Sequence, residues 1–251
     1  MPCLQKLTLH GSPSHETFTG NEIGTETPLS ELILEKYCID PVSLNKLLTH
    51  SSMTKISLRQ CTFSSLLDPL KSSSIKNLNF QPTTTPILMP RFPSLEILDL
   101  QGVNDRTFYR AFLKICDYYP KLERLTLGMT YGKKLKPHSN NGIVKKSFSA
   151  LKKLNKLKVL RLERVDLTGI NWNRCVGSKV EHIHLKFCNI HEAGAKSLIG
   201  SFKHLQTFYL DYCTLEVPKA KSFCEDGLRK VKPHCQISFH DVSIQNKKKR
   251  R

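Results

Sequence analysis

The residues whose types and spacing could do chemistry are few. His182, His184 and Cys188 fall within one short stretch, and alternate residues of an extended chain share a face, so the two imidazoles could meet a metal ion. Structural zinc takes four ligands at tight spacing, and no such set is present, so no metal site is expected. Asp99, Glu163 and Asp211 are carboxylates of the kind used in general acid–base work, but they stand far apart among basic or neutral neighbours. There is no glycine-rich phosphate loop and no Gly-x-Ser-x-Gly. No catalytic residue, metal or cofactor is expected.

What remains is the chemistry of recognition. Arg161, Glu163, Arg164, His182, His184, Lys186, Phe187, Tyr209, Asp211 and Tyr212 interleave aromatic rings with charge, the composition of interaction hot spots. Between positions 133 and 161 the lysines Lys133, Lys134, Lys136, Lys145, Lys146, Lys152, Lys153, Lys156 and Lys158 occur with no acidic residue before Glu163. Such a run is either a solvated loop and outer face or an electrostatic footprint for phosphates or an acidic protein. Lys247, Lys248, Lys249, Arg250 and Arg251 close the chain with the composition of a nuclear localisation signal.

The elements that must carry these residues follow one recurring pattern. Val180, Ile183, Leu185 and Ile190 fill the first, fourth, sixth and eleventh places of a unit with Cys188 at the ninth; Leu205, Phe208, Leu210, Leu215 and Cys213 do the same in the next. The period-2 part predicts a strand with one buried and one wet face, and residues 191–202 between the two copies return apolar residues at helical spacing. Met53, Ile56, Leu58, Cys61 and Phe63 repeat the full pattern. Looser copies begin at Leu4, Leu29, Ile75, Leu95, Leu122 and Leu157, and a last strand runs through Cys235, Ile237 and Phe239. Sixth-place residues fall at 9, 34, 58, 80, 100, 127, 162, 185, 210 and 239; the intervals cluster in the mid-twenties, the period of leucine-rich repeats at roughly 20–29 residues, and are stretched most between Leu127 and Leu162.

On these residues the chain resembles the leucine-rich repeat proteins. The ninth-place cysteines Cys61, Cys188 and Cys213, with the stretch from Asn189 through Ala193, Gly194 and Ala195 to Leu198, are similar to the cysteine-containing subfamily found in F-box proteins. The resemblance implies an α/β solenoid, a horseshoe of about ten repeats with a parallel sheet on its concave face and helices or irregular segments on the convex face. It implies one repeat domain over residues 1–245, followed by a basic tail over 246–251. It also implies a non-enzymatic protein–protein interaction module, like the substrate-recognising solenoid of a ubiquitin-ligase receptor, with the recognition residues named above on its C-terminal concave strands. The alternative is a nuclear protein that associates with nucleic acid or acidic partners through residues 133–164 and the tail.

A formal net charge of +18 over 251 residues bears on partners rather than fold. No stretch approaches the ~18 consecutive apolar residues of a membrane span, and residues 1–20 lack the apolar core of a signal peptide. Nine cysteines, an odd number without any Cys-x-x-Cys pair, suit reduced thiols in a nuclear or cytoplasmic protein. The pattern begins at once at Leu4 with no capping unit and no F-box before it, so an upstream segment is expected to be missing from this chain.

Several local expectations complete the reading. Residues 10–28 read as a loop. Helices are expected over 41–50 with Val42, Leu44, Leu47 and Leu48 inward, over 105–119 behind an Asn104 cap, over 147–155 with Phe148, Leu151 and Leu154 buried, and over 219–232. Four prolines exclude a long helix between 81 and 93, and residues 241–245 pair weakly.

Overall fold

The computed structural model describes residues 4–12, 16–20, 23, 28–50, 52–65, 70–82, 89–130, 148–170, 172–175, 178–217 and 228–246. It is an α/β fold of parallel strands with few helices, and it divides into two compact units, Met1–Leu122 and Glu123–Arg251.

In the first unit the main strands are β1 (Lys6–His10), β3 (Glu31–Glu35), β5 (Lys55–Phe63), β6 (Asn77–Pro82) and β7 (Ile97–Val103), hydrogen-bonded side by side in that order. All pairs are parallel, and the register sets each aliphatic triplet beside the next: Leu7 beside Leu32, Leu32 beside Ile56, Ile56 beside Leu78, Leu78 beside Leu98. A one-residue slip would turn every aliphatic side chain to the wet face, so the hydrophobic pattern itself specifies this pairing.

Helix α1 (Pro41–His50) buries Leu44, Leu47 and Leu48, but Val42 is 62 % exposed, against expectation. A residue two positions from Leu44 lies about 200° around the helix from it, so both cannot face inward. Helix α2 (Asp105–Tyr118) buries Phe108, Phe112, Ile115 and Cys116 as expected. Its cap is Asn104, whose Oδ1 accepts the Thr107 backbone N–H at 3.0 Å. Replacing Asn104 by alanine leaves that donor only its 3.2 Å bond to the residue 104 carbonyl and is expected to cost about 1 kcal/mol in urea denaturation; an unchanged midpoint would mean the cap contributes nothing. Beyond α2, the buried Tyr119 donates its hydroxyl to the Pro90 carbonyl at 2.6 Å, and burial pushes its phenol well above the ordinary range.

The loop reading of residues 10–28 needs correction. Thr17–Phe18 forms a short strand, β2, parallel to β4 (Cys38–Ile39), and the buried Phe18 ring meets Tyr37 edge-on at 5.9 Å. One aromatic without periodic company leaves no pattern in sequence, yet its burial is enough to order two residues.

In the second unit the strands are β8 (Arg124–Met129), β9 (Val159–Glu163), β10 (His182–Lys186), β12 (Thr207–Asp211) and β14 (Gln236–His240), again all parallel. A second, three-stranded parallel sheet joins β11 (Asn189–His191), β13 (Thr214–Val217) and β15 (Ser243–Asn246). The weak pairing expected of residues 241–245 is thus a strand of that sheet. Helix α3 (Glu192–Ser201) buries Ala195, Leu198 and Ile199.

Of the α-helix expected over 147–155, residue 147 lies outside the described residues, Phe148 and Ser149 are α-helical, and the chain then tightens. Ala150–Lys153 is a 3-10 turn, and Phe148, Leu151 and Leu154 are all buried. Their spacing of three is the 3-10 period rather than the 3.6 of an α-helix. A second 3-10 turn, Trp172–Cys175, was not foreseen; its Trp172 is buried between Phe148 and Phe202, with ring centroids at 5.0 and 6.2 Å. Of the helix expected over 219–232 only residues from 228 onward are described, beginning with the buried Leu228.

Candidate functional site

The strands of the second unit alternate buried with half-buried residues, so one face of the sheet is covered and the other open. Register then decides which side chains meet on the open face. Thr126, Arg161, His184, Tyr209 and Ser238 form one row across the strands; Gly128, Glu163, Lys186, Asp211 and His240 form the next. Six of the ten recognition residues expected from sequence lie on these rows; His182 lies on the row before them, beside Val159 and Thr207, and Arg164, Phe187 and Tyr212 stand just past the strand ends.

The end of each strand is set by an unusual backbone conformation. Two residues beyond the sixth-place aliphatic, Lys36, Gln60, Arg164, Phe187, Tyr212 and Asp241 all have positive φ, between 48° and 61°, and Gly102 does so at 74°. Only glycine adopts this region freely, and other residues there cost about 1 kcal/mol or more. Part of the return is a hydrogen bond to the next strand. The Arg164 N–H donates to the Lys186 carbonyl at 2.9 Å, Phe187 to Asp211 at 2.8 Å, and Tyr212 to His240 at 2.8 Å.

This turn throws the side chains outward into one stack. The Arg164 guanidinium lies 5.1 Å from the Phe187 centroid, and the Phe187 and Tyr212 rings stack at 5.1 Å and 20°. His240 meets Tyr212 edge-on at 5.1 Å, and the Lys186 ammonium sits 5.4 Å from the Phe187 centroid. Phe187 remains 36 % exposed and Tyr212 45 %. Two large rings therefore occupy strained positions without reaching the core, where asparagine or glycine would fit the backbone better.

Beside the stack the charges are already arranged. Glu163 is held by Arg161 at 2.7 Å and Arg164 at 3.7 Å, and Asp211 by His184 at 3.4 Å. His182 Nδ1 is 2.9 Å from the Thr207 hydroxyl. Burial lowers the His184 pKa below its ordinary 6.5, and nearby Arg161 adds to this, while Asp211 and Glu163 pull the other way. Because the unfolded chain takes up this proton first, His184 subtracts stability as pH falls below about 6.5 and contributes nothing above it. Thermal stability is expected to fall between about pH 7 and pH 5.5, and the fall should be smaller in His184→Gln. Equal slopes in the two proteins would refute a half-buried imidazole with a lowered pKa.

The ninth-place cysteines belong to the covered side. Cys61 donates its thiol to the Leu34 carbonyl at 3.4 Å, Cys188 to Leu162 at 3.3 Å and Cys213 to Leu185 at 3.2 Å, so each satisfies the sixth-place carbonyl of the preceding strand. Cys175 donates to the carbonyl of the helical Phe148 at 3.2 Å. Burial pushes the Cys61 thiol up to about 11 and Cys175 up to about 12, and holds Cys188 protonated as well. Cys61, Cys175 and Cys188 are therefore not nucleophiles near neutral pH. Cys188 also lies away from the His182 and His184 face, and among the described residues no three His, Cys, Asp or Glu side chains form a metal-binding group.

Of the basic residues, Lys152, Lys153, Lys156 and Lys158 are exposed on or just after the first 3-10 turn. Lys133, Lys134, Lys136, Lys145 and Lys146 lie outside the described residues, as do Lys247, Lys248, Lys249, Arg250 and Arg251. Among the described residues no helix is long and apolar enough to cross a membrane. No family model matches the chain, and no curated protein matches it either.

Proposed function

We propose that the chain is a leucine-rich-repeat solenoid that binds another protein through the open sheet face of its second unit and performs no chemistry of its own. It is similar in this reading to the substrate-recognising solenoid of F-box receptors, and it works inside the cell, in nucleus or cytoplasm. The observation that carries the proposal is the exposed stack of Phe187 and Tyr212 on left-handed backbone. Folding alone does not call for aromatic rings there, because they stay 36 % and 45 % exposed and sit on strained backbone. A partner that covers them would supply the missing burial, as anchor residues at interface centres do.

The test uses asparagine, which the left-handed conformation tolerates. Affinity capture with the full chain is compared with Phe187→Asn/Tyr212→Asn and with Val42→Asp on α1. Specific partners should be lost, by roughly tenfold or more, from the double variant only. A partner set unchanged by the double variant would defeat the proposal.

A second reading rests on the exposed Lys152, Lys153, Lys156 and Lys158: association with nucleic acid through residues 133–164 and the basic tail. Failure to bind either duplex or single-stranded nucleic acid at low salt would end it.

A further inference from the structure

The charge of the chain is divided unequally. Residues 1–122 hold 12 Lys and Arg against 11 Asp and Glu, whereas residues 123–251 hold 27 against 10. Almost all of the +18 therefore belongs to the unit that carries the aromatic stack, and its field attracts anionic partners to that unit at long range.

The geometry of the stack decides which kind of anion suits it. A single-stranded nucleic acid needs open ring faces on which bases can lie. Here Phe187 and Tyr212 take one face from each other, Arg164 lies against Phe187, and the His240 ring abuts Tyr212. What the rings offer to solvent is chiefly edge, which suits apolar or aromatic side chains in edge-to-face contact. The carboxylates of the face are engaged by Arg161, Arg164 and His184, while Lys186 is drawn over the Phe187 ring rather than to a carboxylate. Incoming acidic groups would thus meet Lys186 and the outer edge of Arg164.

From this we infer that the open face of the second unit takes an extended, acidic protein segment carrying an aromatic or apolar anchor, with the anchor against Phe187 and Tyr212 and its acidic neighbours at Lys186 and Arg164. Arg164, Phe187 and Tyr212, with His240 beside Tyr212, come from four adjacent strands about 4.8 Å apart, so the stack spans roughly 15 Å, the reach of four or five extended residues. The inference rests on the protein-binding reading above and adds the chemistry of the partner.

The test titrates the full chain with three labelled probes by fluorescence anisotropy, at about 50 mM and about 200 mM salt: polyglutamate, a random glutamate–tyrosine copolymer and oligothymidylate. The copolymer should bind roughly tenfold more tightly than polyglutamate, and Phe187→Asn/Tyr212→Asn should remove that difference. Lys186→Glu should weaken both polypeptides. Oligothymidylate binding, if any, should not respond to the aromatic substitutions. Equal affinity for the two polypeptides would overturn the inference, and so would an aromatic double variant that weakens oligothymidylate as much as the copolymer. If partner capture still depends on Phe187 and Tyr212 while the copolymer shows no preference, the binding face stands and the acidic, anchored partner falls.

Discussion

Replacing Leu185 by alanine is expected to destabilise the second unit by about 3 kcal/mol, within the usual range for a buried leucine. Leu185 is fully buried on β10, and its register neighbours Leu162 and Leu210 are buried with it. The cavity cannot close easily, because parallel strands on both sides hold the backbone at fixed spacing. One position further, Lys186 points to the open face, and Lys186→Ala should change stability by less than about 0.5 kcal/mol. Urea denaturation followed by the fluorescence of Trp172, the single tryptophan, would read both. If the two substitutions cost the same, the alternation of covered and open faces on β10 is wrong.

The second large effect is expected at Trp172 itself. Its ring is fully buried against Phe148 and Phe202, which belong to segments on either side of it in sequence. Trp172→Ala should cost about 3–5 kcal/mol, which corresponds to a fall of roughly 10 °C in Tm measured by circular dichroism. Trp172→Phe should be much milder. Among the described residues the indole N–H has no hydrogen-bond partner, so phenylalanine gives up area but no hydrogen bond. Similar losses in the two variants would mean that something other than ring packing holds the turn.

Sequence alone made the strands legible for a definite reason. A triplet such as Ile183–His184–Leu185 has period 2, recurs along the chain, and allows only one register once one face is buried. Each of the ten triplets appears as a parallel strand. The ninth-place cysteines were legible as buried residues, although not as donors to a particular carbonyl, since that depends on how close the neighbouring strand comes. Short, non-periodic elements escaped. Phe18 and Trp172 each order a few residues by burial of one ring, and single residues carry no period. Spacing of three at Phe148, Leu151 and Leu154 was readable as 3-10, but a run that short fits either helix. Val42 is apolar yet exposed, because its angle around α1 and not its character decides which way it faces.

The recognition residues were identified by composition and position, and their stacking was not. Its signal was present: Arg164, Phe187 and Tyr212 each stand two residues after the sixth-place leucine, so parallel register had to bring them together. What could not be read was the left-handed backbone that turns them outward, since arginine, phenylalanine and tyrosine carry no local preference for it.

Photo-cross-linking tests the central claim most directly. A benzophenone side chain is placed at position 187, 212 or, as a control on the first unit, 42, and the full chain is irradiated in cells. Covalent adducts with a partner should form from 187 and 212 and not from 42. Adducts formed equally from 42, or from neither 187 nor 212 while the partner remains bound, would show that recognition takes place elsewhere on the molecule.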